Sequence, residues 1–202
     1  MPIKILRPDH TELVGLGYVL LTGLHASGPK TDLHTGLIVE DVALASRAYA
    51  VIGKVNSAYS DDDRLNSARA DFMKTINEII DENSIKCVLE IHGRQEPGVE
   101  IGTGHGRTCS DDIRDLLSSF LSRTFKVEMD DQPHDPKTGE GQGSYERRDA
   151  TGALTVQSAQ IIVGSEEREM RRDMLVDRLA ELVGIINVKL GFGPSAEPPR
   201  ED

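Results

Sequence analysis

Apolar and polar positions along the chain alternate between two kinds of pattern. Ala50–Val55, Lys86–His92 and Leu154–Val163, with the shorter Phe125–Met129, read as strands, and Tyr18–His25 is a continuous apolar run that stops at turn residues. Such a run predicts a strand buried on both faces of a sheet. Between these strands, apolar residues recur at helical spacing. Leu37, Ile38, Val42 and Ala45 do so over Thr35–Ala50, and Phe72, Ile76, Ile79 and Ile80 over Asn66–Asn83. Two more helices are predicted over Ser110–Ser122 and from Ser165 or Glu166 to Ile186. The second of the four ends near Asn83, and the third opens on Ser110-Asp111-Asp112, a suitable N-terminal turn for the helix dipole. Strands alternating with helices predict a three-layer α/β/α sandwich around a mostly parallel or mixed sheet. Residues 1–190 form one domain in this reading. The polar stretch Asp130–Gly152 reads as a long loop, and the Pro-rich tail 191–202 as disordered.

Composition narrows the class. The 202 residues carry 23 Lys and Arg against 34 Asp and Glu, a net charge of −11. That balance argues against nucleic acid as a partner, because phosphate binding needs a basic stripe. No apolar run is long enough for a membrane span, and the first fifteen residues lack the apolar segment of a signal peptide. Cys87 and Cys109 form neither a disulfide framework nor a CxxC pair, which fits a reducing, cytoplasmic setting.

Two histidines, His25 and His92, fall at the C-terminal ends of predicted strands, the edge where open α/β sheets bind ligands. Two imidazoles with a carboxylate would suit a zinc site that keeps an open position. Asp32 is the nearest acidic residue after His25, with Glu40 and Asp41 farther along the next helix, and His34 close by. Two hydrogen-bonded, purely structural histidines are the alternative.

The stretch His25-Ala26-Ser27-Gly28, Asp32-Leu33-His34-Thr35 resembles the first metal motif of N-formylglutamate amidohydrolase-like and poly-gamma-glutamate hydrolase-like enzymes, which share the zinc-carboxypeptidase fold. Val88-Leu89-Glu90-Ile91-His92-Gly93 is similar to the strand that ends in their second metal histidine. Ile101-Gly102-Thr103-Gly104-His105-Gly106-Arg107 resembles their Gly-rich segment. The resemblance implies one zinc per chain held by His25, Asp32 and His92. It also implies hydrolysis of an amide bond beside a carboxylate in a small-molecule or short-peptide substrate. Arg94 is then a candidate partner for the developing oxyanion, and Arg64 or Asn66 for the substrate carboxylate.

Two departures accompany the resemblance. Ser67 stands where the family has a carboxylate-binding Arg. On the late strand, Val156-Gln157-Ser158-Ala159-Gln160-Ile161-Ile162-Val163, the alignment puts Ile162 at the position of the family's catalytic Glu. The base would then be Glu166 at the strand end or Glu96 after His92. A non-catalytic member that binds a small carboxylate or acts as a regulatory protein is the alternative. His105 and His134 have no partner in this reading.

Overall fold

The structure, a computed structural model, describes residues 2–24, 34–54, 63–104, 106–129 and 145–193, with side chains from residue 70 onward in the second helix. A nine-stranded mixed sheet runs through it. The strands are β1 (Ile3–Leu6), β2 (His10–Val14), β3 (Val19–Gly23), β4 (Tyr49–Gly53), β5 (Cys87–Arg94), β6 (Val99–Gly102), β7 (Val127–Met129), β8 (Arg147–Arg148) and β9 (Leu154–Gly164). Their spatial order is β1-β2-β4-β3-β5-β9-β6-β7, with β8 paired to β9 off this path. The helices are α1 (Thr35–Ser46), α2 (Asp63–Glu82), α3 (Asp111–Leu121), α4 (Ser165–Glu169) and α5 (Arg172–Lys189).

The central strands β4, β3, β5 and β9 are parallel neighbours. Antiparallel strands flank them, β1 and β2 on one side and β6 on the other. Of the two expected sheet types, the mixed one is found.

The period of two along the strands sorts the core into two layers. Val19, Leu21, Ala50, Ile52, Cys87, Leu89, Ile91, Ala159, Ile161 and Val163 pack with α1, α3 and α5. Leu20, Val51, Val88 and Val156 face the other way and pack with Phe72, Ile76 and Ile80 of α2. Helices therefore cover both faces, the three-layer sandwich expected from the pattern. Phe72 anchors the α2 side, 1% exposed. Among the described residues, no helix is long and apolar enough to cross a membrane.

Several expected boundaries move. The first helix ends at Ser46 rather than Ala50, because Arg47 takes a left-handed conformation (φ 60°) and turns the chain into β4. Strand β3 ends at Gly23, and β7 covers only Val127–Met129. The hairpin β1–β2 and strand β6 have no counterpart in the sequence reading. Both are too short for alternation to stand out, and both exist through pairing with a neighbour. The late helix is two helices, broken at Met170–Arg171. The fully buried Arg168 of α4 turns inward and donates to the carbonyls of Arg94 and Val163, an anchorage that α4 holds independently of α5.

The polar stretch expected as a loop holds β8, and Tyr145 is buried against α2, its hydroxyl 3.3 Å from the Met73 sulfur. Residues 130–144 of that stretch and 194–202 of the tail lie outside the described residues.

Candidate functional site

The sheet face toward α2 changes character along its strands. At the level of Leu20, Val88 and Val156 it is apolar. Toward the C-terminal ends of the parallel strands it becomes polar, with Thr22, Glu90, His92, Ser158 and Gln160 at alternating positions. Strand pairing sets these residues in rows. Glu90 lies between Thr22 and Gln160, and His92 lies beside Ile162, whose other neighbour is Glu100 of β6. On the far side of β4, His10 pairs with Gly53 and Glu12 with Val51.

Glu90 is the centre of this patch. It is only 6% exposed. The Ser158 hydroxyl donates to one carboxylate oxygen at 3.3 Å, and the Gln160 amide donates to the other at 3.4 Å. Nε2 of His92 lies 3.5 Å from that second oxygen. A buried carboxylate is costly unless polar partners surround it, and here they come from the adjacent strand and from two residues along the same one. His92 is half-buried at the open end of the row, a position where an imidazole can be oriented by a carboxylate behind it.

Arg94, the next residue of β5 on this face, donates from Nη1 to Glu100 at 2.6 Å and to the Pro97 carbonyl from Nη2 at 3.3 Å. Both guanidinium nitrogens also lie 3.4 Å from Glu128. Lys126 first, and Arg94 after it, hold the Glu128 carboxyl below its usual range. Arg94 Nε is buried and has no hydrogen-bond partner among the described residues. Pairing with the acidic residues of β6 and β7 is thus the arginine's main contact here.

Glu96 and Glu166 are exposed on the rim beyond Arg94, Glu96 in the β5–β6 turn and Glu166 in the first turn of α4. The Ser165 hydroxyl donates to the Gln95 carbonyl at 2.8 Å and ties the two segments together. Glu167, next to Glu166, is instead buried, and its carboxylate accepts the Gly98 amide at 2.8 Å.

The structure therefore gathers His92, Arg94, Glu96 and Glu166 at one end of β5 and β9. His25 and Asp32 lie outside the described residues, as do His105 and His134. Arg64 and Asn66 fall in the first turns of α2, where only the backbone is described. His34 caps α1 in a left-handed conformation, φ 72°, and its carbonyl accepts the Ile38 amide at 3.1 Å. Glu90, Ser158 and Glu100 were not among the site residues expected from the sequence. For Glu90 and Ser158 the signal is polar residues at every second position of strands whose other positions are largely apolar, and Glu100, on the four-residue β6, has no such signal.

An Asp and two His are a donor set suited to zinc. Of the implied set only His92 is among the described residues, and no group of three His, Cys, Asp or Glu there is placed to hold a metal. A carboxylate behind an imidazole, as Glu90 is behind His92, is the kind of partner that orients a metal-binding histidine, so this one described member of the implied set is compatible with such an ion.

No protein-family model matches the chain, and no curated protein matches it in sequence. Solved structures do. The chain shares its fold with N-formylglutamate amidohydrolase. The enzyme from Ralstonia eutropha JMP134 superposes with a TM-score of 0.63 at 11% identity, over 91% of this chain and 98% of the other. A gene product of Agrobacterium tumefaciens gives 0.55 at 14% identity, over 87% and 91%. A bacteriophage poly-gamma-glutamate hydrolase gives 0.53 at 12%, over 92% and 91%. The resemblance carried by the histidine motifs and the likeness in fold thus point to the same group of structures.

Proposed function

We propose that this chain is a zinc-dependent hydrolase that cleaves an amide bond next to a carboxylate, in N-formylglutamate, a similar N-acyl amino acid or a gamma-glutamyl substrate. The observation that carries the reading is the buried Glu90 contacting His92 at the C-terminal edge of the parallel strands. A polar cluster at that edge, on an otherwise apolar face, has a binding role to fill. His25, Asp32 and His92 would hold one zinc, which when bound would polarise the amide carbonyl.

The other residues serve that reaction from the protein side. Glu90 orients the His92 ring. Arg94, two residues beyond His92 on β5, is the candidate partner for negative charge developing on the carbonyl oxygen. Arg64 or Asn66 anchors the substrate carboxylate, and a carboxylate at this edge of the sheet takes up the proton of the attacking water.

A second reading is supported by β9, whose described inner face carries Ser158, Gln160 and Ile162 and no carboxylate. It holds that the chain binds a small carboxylate without cleaving it.

Elemental analysis of the purified chain, beside the His25→Ala and His92→Ala variants, tests the metal. About one zinc per chain, lost in both variants, is expected. Full occupancy in either variant would remove that residue from the ligand set. Turnover in a screen of N-acyl amino acids and gamma-glutamyl peptides favours the hydrolase, and calorimetric binding without turnover favours the second reading.

A further inference from the structure

Within the hydrolase reading, and resting on it, the sheet register points to the residue that handles the proton. Glu100 and His92 are both cross-strand partners of Ile162, one from β6 and one from β5. Direct partners across a sheet project to the same face, so His92, Ile162 and Glu100 form one row. With strands about 4.8 Å apart, the two outer residues stand roughly 10 Å apart at their Cα atoms. An apolar, half-buried Ile162 is the floor between them. That register sets both side chains on one face of the sheet, on either side of Ile162.

We propose that Glu100 is the general base of this site. Its oxygens take the proton as the water oxygen bonds to the amide carbon. The same carboxyl then delivers that proton to the leaving nitrogen as the C–N bond breaks, so amide and water become carboxylic acid and amine.

The other acidic residues of this face are placed less well. Glu90 is one row deeper, almost fully buried, and accepts from Ser158 and Gln160. Glu128, the partner of Glu100 on β7, is exposed and bound to Lys126 at 2.7 Å. Glu12 is three strands from Glu90 across Val51 and Thr22. Glu96 and Glu166 are exposed on the rim, and among the described acidic residues Glu100 alone is both level with His92 and half-buried. Arg94 holds it through Oε2 at 2.6 Å, which makes Arg94 a positioning residue for the base as well as a candidate partner of the oxyanion.

Steady-state turnover of N-formyl-L-glutamate by the zinc-loaded wild type, Glu100→Gln, Glu100→Asp and Glu128→Gln tests the assignment, with zinc content and urea midpoint measured on each. Glu100→Gln keeps an acceptor for Arg94. It is expected to lose about 10²–10⁴ in kcat, with KM and zinc content unchanged. Glu100→Asp retains part of the rate, Glu128→Gln retains all of it, and sodium acetate restores turnover to Glu100→Ala.

A Glu100→Gln variant within threefold of wild-type kcat overturns the assignment and leaves the hydrolase standing. Equal losses in Glu100→Gln and Glu128→Gln, or loss of zinc in Glu100→Gln, overturn it in favour of a structural ion-pair role. If the Gln variant does not fold, the Asp variant decides, and an inactive, folded, zinc-loaded Asp variant that acetate cannot rescue in the Ala background counts against the base. A wild type that turns over neither N-formyl-L-glutamate nor a gamma-glutamyl peptide overturns the hydrolase reading, and this one with it.

Discussion

Gly164, between β9 and α4, sits where three segments meet. A Cβ built there would lie 2.6 Å from Oε2 of Glu167 and 2.7 Å from Cα of Pro97, and closer still to the Glu96 carbonyl. Two of these three atoms are backbone, so a Gly164→Ala side chain cannot be accommodated by a rotamer change alone. The glycine's own backbone, φ −64° and ψ 157°, is open to any residue. The cost of the substitution is therefore steric. Alanine would even gain about 0.4–1 kcal/mol through the unfolded chain.

Overpacking of a tight site costs about 1–3 kcal/mol. Displacing Glu167 from its 2.8 Å bond to the Gly98 amide loses a charged hydrogen bond of about 1.5–3 kcal/mol. The net loss is then about 2–5 kcal/mol, or a fall of roughly 4–20 °C in Tm for a chain of this size. Urea denaturation followed by far-UV circular dichroism measures it. Glu167→Ala removes one clashing atom and the bond together, so in its background Gly164→Ala should cost about 1.5–3 kcal/mol less than in the wild type. A Gly164→Ala midpoint equal to or above that of the wild type would refute the packing argument for the β5–β6 turn.

Phe72 is 1% exposed in the layer under α2 and meets the His10 ring edge-on at 6.3 Å. Phe72→Ala should cost about 3–5 kcal/mol, and a chemical-denaturation shift below 1 kcal/mol would mean that α2 does not pack as described. Burial pushes the Cys87 thiol up to about 12 and the Cys109 thiol up to about 11. Native protein at pH 8 should therefore resist a thiol reagent that labels both cysteines in urea, and rapid native labelling would show that the sheet core opens. Because the native state keeps thiol protons that the unfolded chain releases above about pH 9, stability should fall as pH rises from there through 11–12. Cys87→Ala should flatten that fall in pH-dependent urea titrations.

Much of the layer order was legible in the sequence. Leu20, Val51, Val88 and Val156 alternate with Leu21, Ile52, Leu89 and Ala159, because strands buried on both faces need apolar residues at every position. His92 was legible for a related reason, since a polar side chain that ends such a strand has to meet either water or a partner. The short strands were not. Val99–Gly102 is ordered by hydrogen bonds to β9, sixty residues away in the chain, and no local period announces it. Glu100 was hidden with it, because only the register with Ile162 puts that carboxylate on the face of His92. Glu90 was visible as one charge in an apolar run, but its hydrogen bonds to Ser158 and Gln160 arise from the parallel pairing of β5 with β9. Periodicity along the chain determines which residues face a common core. Which strands become neighbours, and so which polar groups meet, is decided by long-range pairing that no local pattern encodes.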